Sequence, residues 1–192
     1  MNQTKKTSRI FNGMLFPIPG EYTIDPMHSF TCFIAQHLVV GQVWGCFDSI
    51  KGKITLADDP TLSSIDISID TASISTHNER RDEDIRSARF LDVKKFPTMT
   101  YHSTGIIAEP GGHLTIEGEL TIRDITNSVS IDAVFSGIVD DPWGNTRIAF
   151  NGNTKISRKD FGLMTELMRE TGGLLIGKDI IINIATELLL QT

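Results

Sequence analysis

Apolar and polar residues alternate along most of this chain of 192 residues. In the clearest segment, Ile65, Ile67 and Ile69 alternate with serine and aspartate. Such alternation is typical of a β-strand with one buried face. Similar patterns predict further strands over residues 29–37, 43–56, 98–107, 114–122, 129–135, 147–157 and 180–190. Strands this numerous, joined by short turns, predict an all-β antiparallel barrel or sandwich of about eight strands.

One stretch, residues 71–101, departs from this alternation. Thr76 and Glu79 have the T-x-x-E spacing of a capping box, which satisfies free amides where a helix begins. Ile85 belongs to only a thin apolar stripe, so the helix is expected on a surface. The sequence therefore predicts one inserted surface helix near 78–91, acting as a lid or plug on the strands.

Two further features concern helices. Asp82 precedes Arg86 by four residues, the favourable order for an ion pair on an exposed helix. A second, short helix is predicted near 160–169, because four apolar residues there share a side: Leu163, Met164, Leu167 and Met168. Its methionines would suit an adaptable wall, and plain packing under a loop is an equal alternative.

The length and charge of the chain restrict its class. We expect a single domain over residues 21–192, preceded by a leader over 1–20 that is flexible or strapped to it. The net charge of −6 argues against a nucleic-acid partner, because nucleic-acid binders need a basic face. No run approaches the roughly 18 apolar residues of a spanning helix, and the leader lacks a convincing signal peptide. The sequence therefore predicts a cytoplasmic protein.

The chain has two cysteines, Cys32 and Cys46, too few for a disulfide scaffold. They lie equally far from Val39, so a hairpin centred there would place them opposite each other. Two interpretations follow, a cross-strand pair and two reduced core thiols. For a cytoplasmic protein we predict reduced thiols.

A series of motifs also matches one known family. They are Tyr22–Ser29 as YTIDxxHS, His37-Leu38, Gly45 with Phe47, the helix residues Asn78, Arg81, Asp82, Arg86, Ser87, Phe90 and Asp92, then Phe96-Pro97, Ser103-Thr104, the RxDFG of 158–162 and the ETGG of 170–173. Through them the chain resembles the YceI-like, polyisoprenoid-binding proteins. The resemblance implies an extended, lipocalin-like antiparallel β-barrel over 21–192. It also allows a homodimer, because members of the family are often dimeric.

The resemblance implies a function as well. A long-chain amphiphile, such as an isoprenoid quinone, a polyprenyl lipid or a fatty acid amide, would be held inside the barrel, with no cofactor required. The residues predicted to bind it are Phe33, His37, Phe47, Arg81, Met99, Tyr101, Phe135, Phe150 and Met164. For the apolar ones the alternative is a solid core without a cavity. For His37 it is a satisfied core histidine, and for Arg81 an ion pair with Asp82 or Asp160.

No common catalytic motif is present, so we predict a binding protein rather than an enzyme. The histidines at 28, 37, 77, 102 and 113 lack the short spacing of common metal sites, and no metal is predicted. The alternative function is a redox- or stress-linked sensor, or an enzyme, that uses the same cavity. It would act through Cys32 and Cys46 or through the histidines.

Overall fold

The computed structural model describes residues 7–11, 13–164, 169, 172 and 175–191. The α-helix α1 spans Glu79–Arg86, and the isolated described residue Arg169 is also helical. The strands are β1 Ser8–Phe11, β2 Met14–Pro17, β3 Gly20–Ile24, β4 Phe30–His37, β5 Gly41–Phe47, β6 Ile50–Leu56, β7 Ser64–Asp70, β8 Ile74–Ser75, β9 Thr98–Ala108, β10 His113–Ile122, β11 Ile125–Asp140, β12 Thr146–Ser157 and β13 Ile176–Leu190. The predicted all-β class is confirmed.

Strands β3 to β13 close into one antiparallel barrel. Three of its eight walls are long strands broken in the middle: β3 with β4, β5 with β6, and β7 with β8. Both halves of the first wall pair with β13, through Leu188↔Ile24 and Ile182↔Phe33. Strand β13 pairs with β12 along its other edge, which completes the ring. Each wall is joined to the next along the chain, so the barrel is an up-and-down meander.

The ring has one gap, which α1 covers. Strand β9 begins opposite the last residue of β7, through Asp70↔Thr98, and β8 continues beyond that point paired only with β5. The connection over residues 76–97, which contains α1, lies at this end of the barrel. We call it the α1 end, and the opposite end the β1–β2 end. The predicted lid position is therefore confirmed.

The local details of this helix differ from the prediction. Asn78, not Thr76, is the N-cap: its side-chain oxygen accepts a hydrogen bond from the amide of Arg81 at 3.0 Å. Thr76 instead donates its backbone N–H and its hydroxyl to the buried carboxylate of Asp82. Asp82 is therefore not the partner of Arg86, which lies 3.4 Å from Glu79.

The predicted helix near 160–169 falls largely outside the described residues. Its described beginning is a single turn of 3₁₀-helix over Arg158–Phe161, followed by Gly162 in the left-handed region with φ 65°. Residues 163 and 164 are not helical, so an α-helix does not begin at 160. Leu167 and Met168 lie outside the described residues.

The β1–β2 hairpin covers the other end of the barrel. The buried ring of Phe16 lies 5.3 Å from that of Phe135, which lies 5.3 Å from Phe150. Arg9 fastens the hairpin by donating to the carbonyl oxygens of Ala57 and Asp58. The segment before residue 20 therefore contributes a buried aromatic residue to the core in the part that the structure describes.

The cysteines form a cross-strand disulfide between β4 and β5, at Cys32↔Cys46. The prediction of two reduced thiols is therefore wrong, and the hairpin around Val39 is correct. The physical reason is the register, which places the two side chains opposite each other on the outer face. Among the described residues, no helix has both the length and the apolar character that crossing a bilayer requires.

Candidate functional site

The barrel encloses an apolar cavity of about 490 Å³. This volume lies within the range of small-molecule sites. All eight walls contribute apolar side chains to its lining: Phe33, Ile54, Ile69, Met99, Ile116, Ile131, Phe150 and Ile182. The interior is therefore not filled by its own side chains, which excludes the alternative of a solid core.

The charged lining residues gather at the α1 end. Arg81 and Asp84 project from α1, and His37 ends β4. His37 and its neighbour Gln36 are exposed, whereas the two charged side chains of α1 are half-buried. Because these two exposed residues line the cavity, we infer that it opens beside them, and we call this opening the mouth. The cavity thus has an apolar interior and a polar rim at one end.

The rim is fixed by hydrogen bonds around Thr76. Arg81 donates its Nε to the hydroxyl of Thr76 at 2.7 Å and an Nη to its carbonyl oxygen at 2.8 Å. The same hydroxyl donates to Asp82 at 2.5 Å. Arg81 therefore reaches Asp82 through Thr76 rather than by the direct ion pair that the sequence suggested.

The structure brings seven of the nine predicted residues to the cavity. Those seven are Phe33, His37, Phe47, Arg81, Met99, Tyr101 and Phe150. Phe33 and Phe47 lie with their ring centroids 6.0 Å apart. That these residues bind a ligand stays a prediction.

Two predicted residues do not line the cavity. Phe135 lies at the β1–β2 end, where it packs against Phe16. Met164 is half-buried, and its neighbour Leu163 is the buried residue that faces the cavity. Alternation along a strand gives the face of a side chain but not its height along the barrel, which explains the first error.

Isoleucine is the most frequent residue type in the part of the lining that the sequence did not single out. Among the lining isoleucines are Ile67, Ile74, Ile106, Ile122, Ile156, Ile180 and Ile184. The signal that could have found them is the same alternation that predicted the strands. Isoleucine at such positions is equally typical of ordinary core, so alternation alone does not identify it as cavity lining.

Tyr101 is a buried polar residue in the cavity wall. Its hydroxyl lies 2.9 Å from the carbonyl oxygen of Ile116 and 3.2 Å from that of Val129. Burial raises the pKa of this phenol above its ordinary value, with a smaller contribution from Glu117. The ring fits because residue 118 is glycine: a Cβ there would lie 2.4 Å from the Tyr101 ring.

A second polar cluster lies on the outside of the barrel, at the bend between β3 and β4. Arg147 donates to Asp25 at 2.5 Å, to Glu187 at 3.1 Å and to Asp141 at 2.8 Å. His28 lies 2.9 Å from Asp25. Residues of the YTIDxxHS motif and of the turn at 140–145 thus meet in one network, which fixes the bend.

This cluster includes the group in the described part of the chain whose atoms suit a metal ion: Asp25, His28 and Glu187, with ligand atoms within 4.8 Å of one another. The guanidinium of Arg147 already donates to both carboxylates. One positive charge therefore occupies the place that a cation would take. We interpret the group as an ion-pair network.

The network perturbs the acidity of its members. Burial alone would raise the pKa of Asp25, but hydrogen bonds from Arg147, His28 and the amide of Met27 outweigh it and lower the pKa to about 2. The same balance of burial against donors lowers the pKa of Asp141. The hydrogen bonds to Asp25 and Asp141 raise the pKa of Arg147.

The depressed pKa of Asp25 predicts an acid-sensitive fold. Because its pKa is lower in the folded than in the unfolded chain, its stabilisation is present above about pH 4 and is lost as the pH falls towards about 2. We expect Asp25→Asn to lower Tm at neutral pH and to flatten the dependence of Tm on pH in that window. Circular dichroism melts across the range measure both effects.

The exposed Glu119→Gln serves as the control for this experiment, because Glu119 lies on β10 away from the network. It should keep the wild-type pH profile. Equal slopes for wild type and Asp25→Asn would show that the carboxylate of Asp25 does not link folding to pH.

Several known proteins share this fold. The structure of Burkholderia cenocepacia BcnA matches this one with a TM-score of 0.77 and 18% identity. The match covers 85% of this chain and 98% of that one. It matches a polyisoprenoid binding domain from Saccharophagus degradans at a TM-score of 0.70 and 15% identity, over 88% of this chain and 98% of that one. Identities this low relate the folds alone.

Other relatives are closer in sequence. Protein YceI of Salmonella newport is 38% identical over 153 residues, which are 78% of this chain and 80% of the relative. The YceI protein of Campylobacter jejuni is 25% identical, with a TM-score of 0.68 over 82% of this chain and 90% of that one. The model of the YceI-like domain matches residues 22–188. The chain therefore belongs to the YceI-like family.

Proposed function

We propose that the protein binds a long-chain amphiphilic lipid in its barrel and carries, stores or sequesters it without catalysis. The ligand would be of the isoprenoid class, such as an isoprenoid quinone or a polyprenyl lipid, or a fatty acid amide. The observation that carries the proposal is the apolar cavity of about 490 Å³ with its charged residues at one end. The polyisoprenoid binding domain of the similar fold supports it.

The energetics of such a site follow from its two parts. Each CH₂ that leaves water for the apolar interior contributes roughly 0.8 kcal/mol, so the chain of the ligand supplies most of the affinity. The rim residues His37, Arg81 and Asp84 offer donors and an acceptor for a polar head group. The chain would therefore point inward and the head group would stay at the mouth.

The direct test is to identify what the purified protein carries. Organic extraction followed by mass spectrometry should recover an apolar compound of the isoprenoid or fatty-amide class at close to stoichiometric amount. Delipidated protein should then take up a long-chain ubiquinone added from ethanol. Recovery of no apolar compound, together with no uptake of ubiquinone or of oleamide, would contradict the proposal.

The sensor alternative has one observation in its favour, the disulfide Cys32–Cys46. Reduction should change the rate of ubiquinone release if the cysteines sense redox state. A double variant with alanine at both positions should then release ubiquinone at a rate that does not respond to reductant. The enzymatic form of the alternative has no comparable support among the described side chains.

The disulfide also bears on the compartment. Disulfides persist where the surroundings are oxidising and are rare where thiols are kept reduced. The cross-strand pair therefore favours an oxidising compartment over the cytoplasm that the sequence suggested. Measuring free thiols in protein alkylated before cell lysis tests this directly.

A further inference from the structure

The connection between β4 and β5 carries three consecutive exposed aliphatic residues beside the mouth. Leu38 is 51% exposed, Val39 58% and Val40 93%. We call residues 38–40 the apolar tip. His37, which precedes it, lines the mouth, so the tip stands at the entrance of the cavity. An exposed patch that adjoins a ligand entrance marks a candidate interaction site.

The backbone conformation of the tip is one that aliphatic residues rarely adopt. Leu38 has φ 50° and Val39 φ 68°, both in the left-handed region. Hairpin turns with this geometry prefer asparagine, aspartate and glycine, and a β-branched residue there is strained. Turn geometry and hydration therefore both disfavour these side chains. Their presence indicates a role for the tip beyond closing the hairpin.

An apolar patch lies on the outer face of the barrel, separated from the tip by the exposed pair Gln36↔Gln42. Trp44 is 57% exposed and lies opposite Ile34, which lies opposite Ile181, itself 43% exposed. The amide of Leu38 donates to the carbonyl oxygen of Leu175, which lines the cavity. The tip therefore adjoins the lining of the cavity, and the outer patch lies further along the same hairpin.

We propose that the tip and Trp44 insert into the surface of a lipid bilayer, so that the ligand passes between membrane and cavity without crossing water. This rests on the proposed function, because only a ligand of low water solubility needs such a path. The position of this exposed aliphatic tip beside the entrance of an apolar cavity selects a bilayer as the occupant. Tryptophan also suits this depth, since its ring favours the membrane–water interface.

The charge of the protein refines the choice of membrane. The net charge is −6, so attraction to anionic lipids is not the driving force. Binding should occur on phosphatidylcholine vesicles and should change little with salt concentration. The insertion is shallow, because three residues cannot span more than the interfacial layer.

The two tryptophans give a direct readout. Trp143 is 80% exposed in the turn between β11 and β12, at the β1–β2 end. Trp143→Phe leaves Trp44 as the single tryptophan, and its fluorescence should be quenched by phosphatidylcholine vesicles with brominated chains. Trp44→Phe leaves Trp143, whose emission should not change. Quenching of Trp143 with an unaffected Trp44 would overturn the proposal.

A second variant separates this role from stability. Leu38→Asn with Val39→Gly installs residues that the turn geometry favours, so Tm should stay equal or rise. Vesicle binding should fall at least about tenfold, because two aliphatic side chains leave the bilayer. The control Leu62→Asn removes an exposed leucine at the β1–β2 end and should bind vesicles like wild type. Unchanged vesicle binding in the tip variant would overturn the proposal.

Ligand uptake distinguishes failure of this inference from failure of the proposed function. The tip variant should take up ubiquinone from ethanol like wild type but extract it from vesicles at least about tenfold more slowly. Normal uptake from ethanol with no vesicle binding by wild type would overturn the docking surface alone. Trp44 emission that shifts with protein concentration in the absence of lipid would assign the tip to a second copy of the chain, and the proposal would fall.

Discussion

Ile131→Trp is expected to reduce the affinity for a long-chain ubiquinone by roughly a hundredfold while the barrel stays folded. Ile131 lies on β11 and faces the cavity, so the larger indole would occupy ligand space. Displacing about four methylene groups of the ligand, at roughly 0.8 kcal/mol each, removes about 3 kcal/mol of binding free energy. Fluorescence or calorimetric titration of the delipidated protein measures the loss.

The neighbouring residue supplies the matched control. Ser130 is exposed on the opposite face of the same strand, so Ser130→Trp adds the same side chain outside the barrel. It should bind ubiquinone like wild type. Equal affinities for the two variants would place the ligand elsewhere, and a collapsed Tm for Ile131→Trp would call for the smaller Ile131→Phe.

Most of the fold follows from alternation along the chain. The isoleucines of β7 and the apolar residues of β10 and β11 were assigned to the correct faces because one buried face imposes a period of two. The break between β7 and β8 was not predicted. It lies where the pairing of this wall with β9 ends at the α1 end, which local pattern does not reveal.

The helix start shows the same limit on a smaller scale. Thr76 and Glu79 have capping-box spacing, and Asn78 lies between them as a second good cap. The choice depends on Asp82, whose buried carboxylate takes both donors of Thr76. That contact is tertiary in origin, because Thr76 is held at the end of the wall formed by β7 and β8. The sequence shows both candidate N-cap residues but not which of them caps the helix.

Some residues of the candidate site were predicted correctly from the sequence and others were not. Phe33 and Phe47 were predicted from family motifs on strands, and they line the cavity. Phe135 was predicted from the alternation along its strand, and it instead belongs to the core of the β1–β2 end. Height along the barrel decides between the two, and it depends on strand register.

The family motifs themselves act mainly on the fold. Asp25 and His28 of the YTIDxxHS motif join Arg147 in an external network, and Arg158 of RxDFG donates to the carbonyl oxygens of Ile176 and Gly177. Isoleucine is the most frequent residue type in the cavity lining, and nearly all of these isoleucines lie outside the motifs. The motifs therefore identify the barrel, whereas the choice of ligand depends on residues that look like ordinary core.

Removing the disulfide is expected to give the largest loss of stability. Cys32 and Cys46 are 14 residues apart, and a loop of that length closed by a disulfide is worth about 3 kcal/mol in the chain-entropy model. For a domain of this size we expect Cys32→Val with Cys46→Val to lower Tm by about 6–12 °C. Valine keeps the strand propensity of both positions, so the loss reports the cross-link.

In reductant, the Tm of the wild type should fall to that of the double variant. Reductant should not change the Tm of the double variant. Because the pair lies on the outer face, between β4 and β5, the variant should still bind ubiquinone in the cavity. The same strands carry the apolar tip, so vesicle binding should persist as well, provided the hairpin stays paired. A wild-type Tm that does not respond to reductant would mean that the cross-link does not constrain the unfolded chain. The backbone hydrogen bonds between β4 and β5 would then hold the hairpin at the mouth without the disulfide.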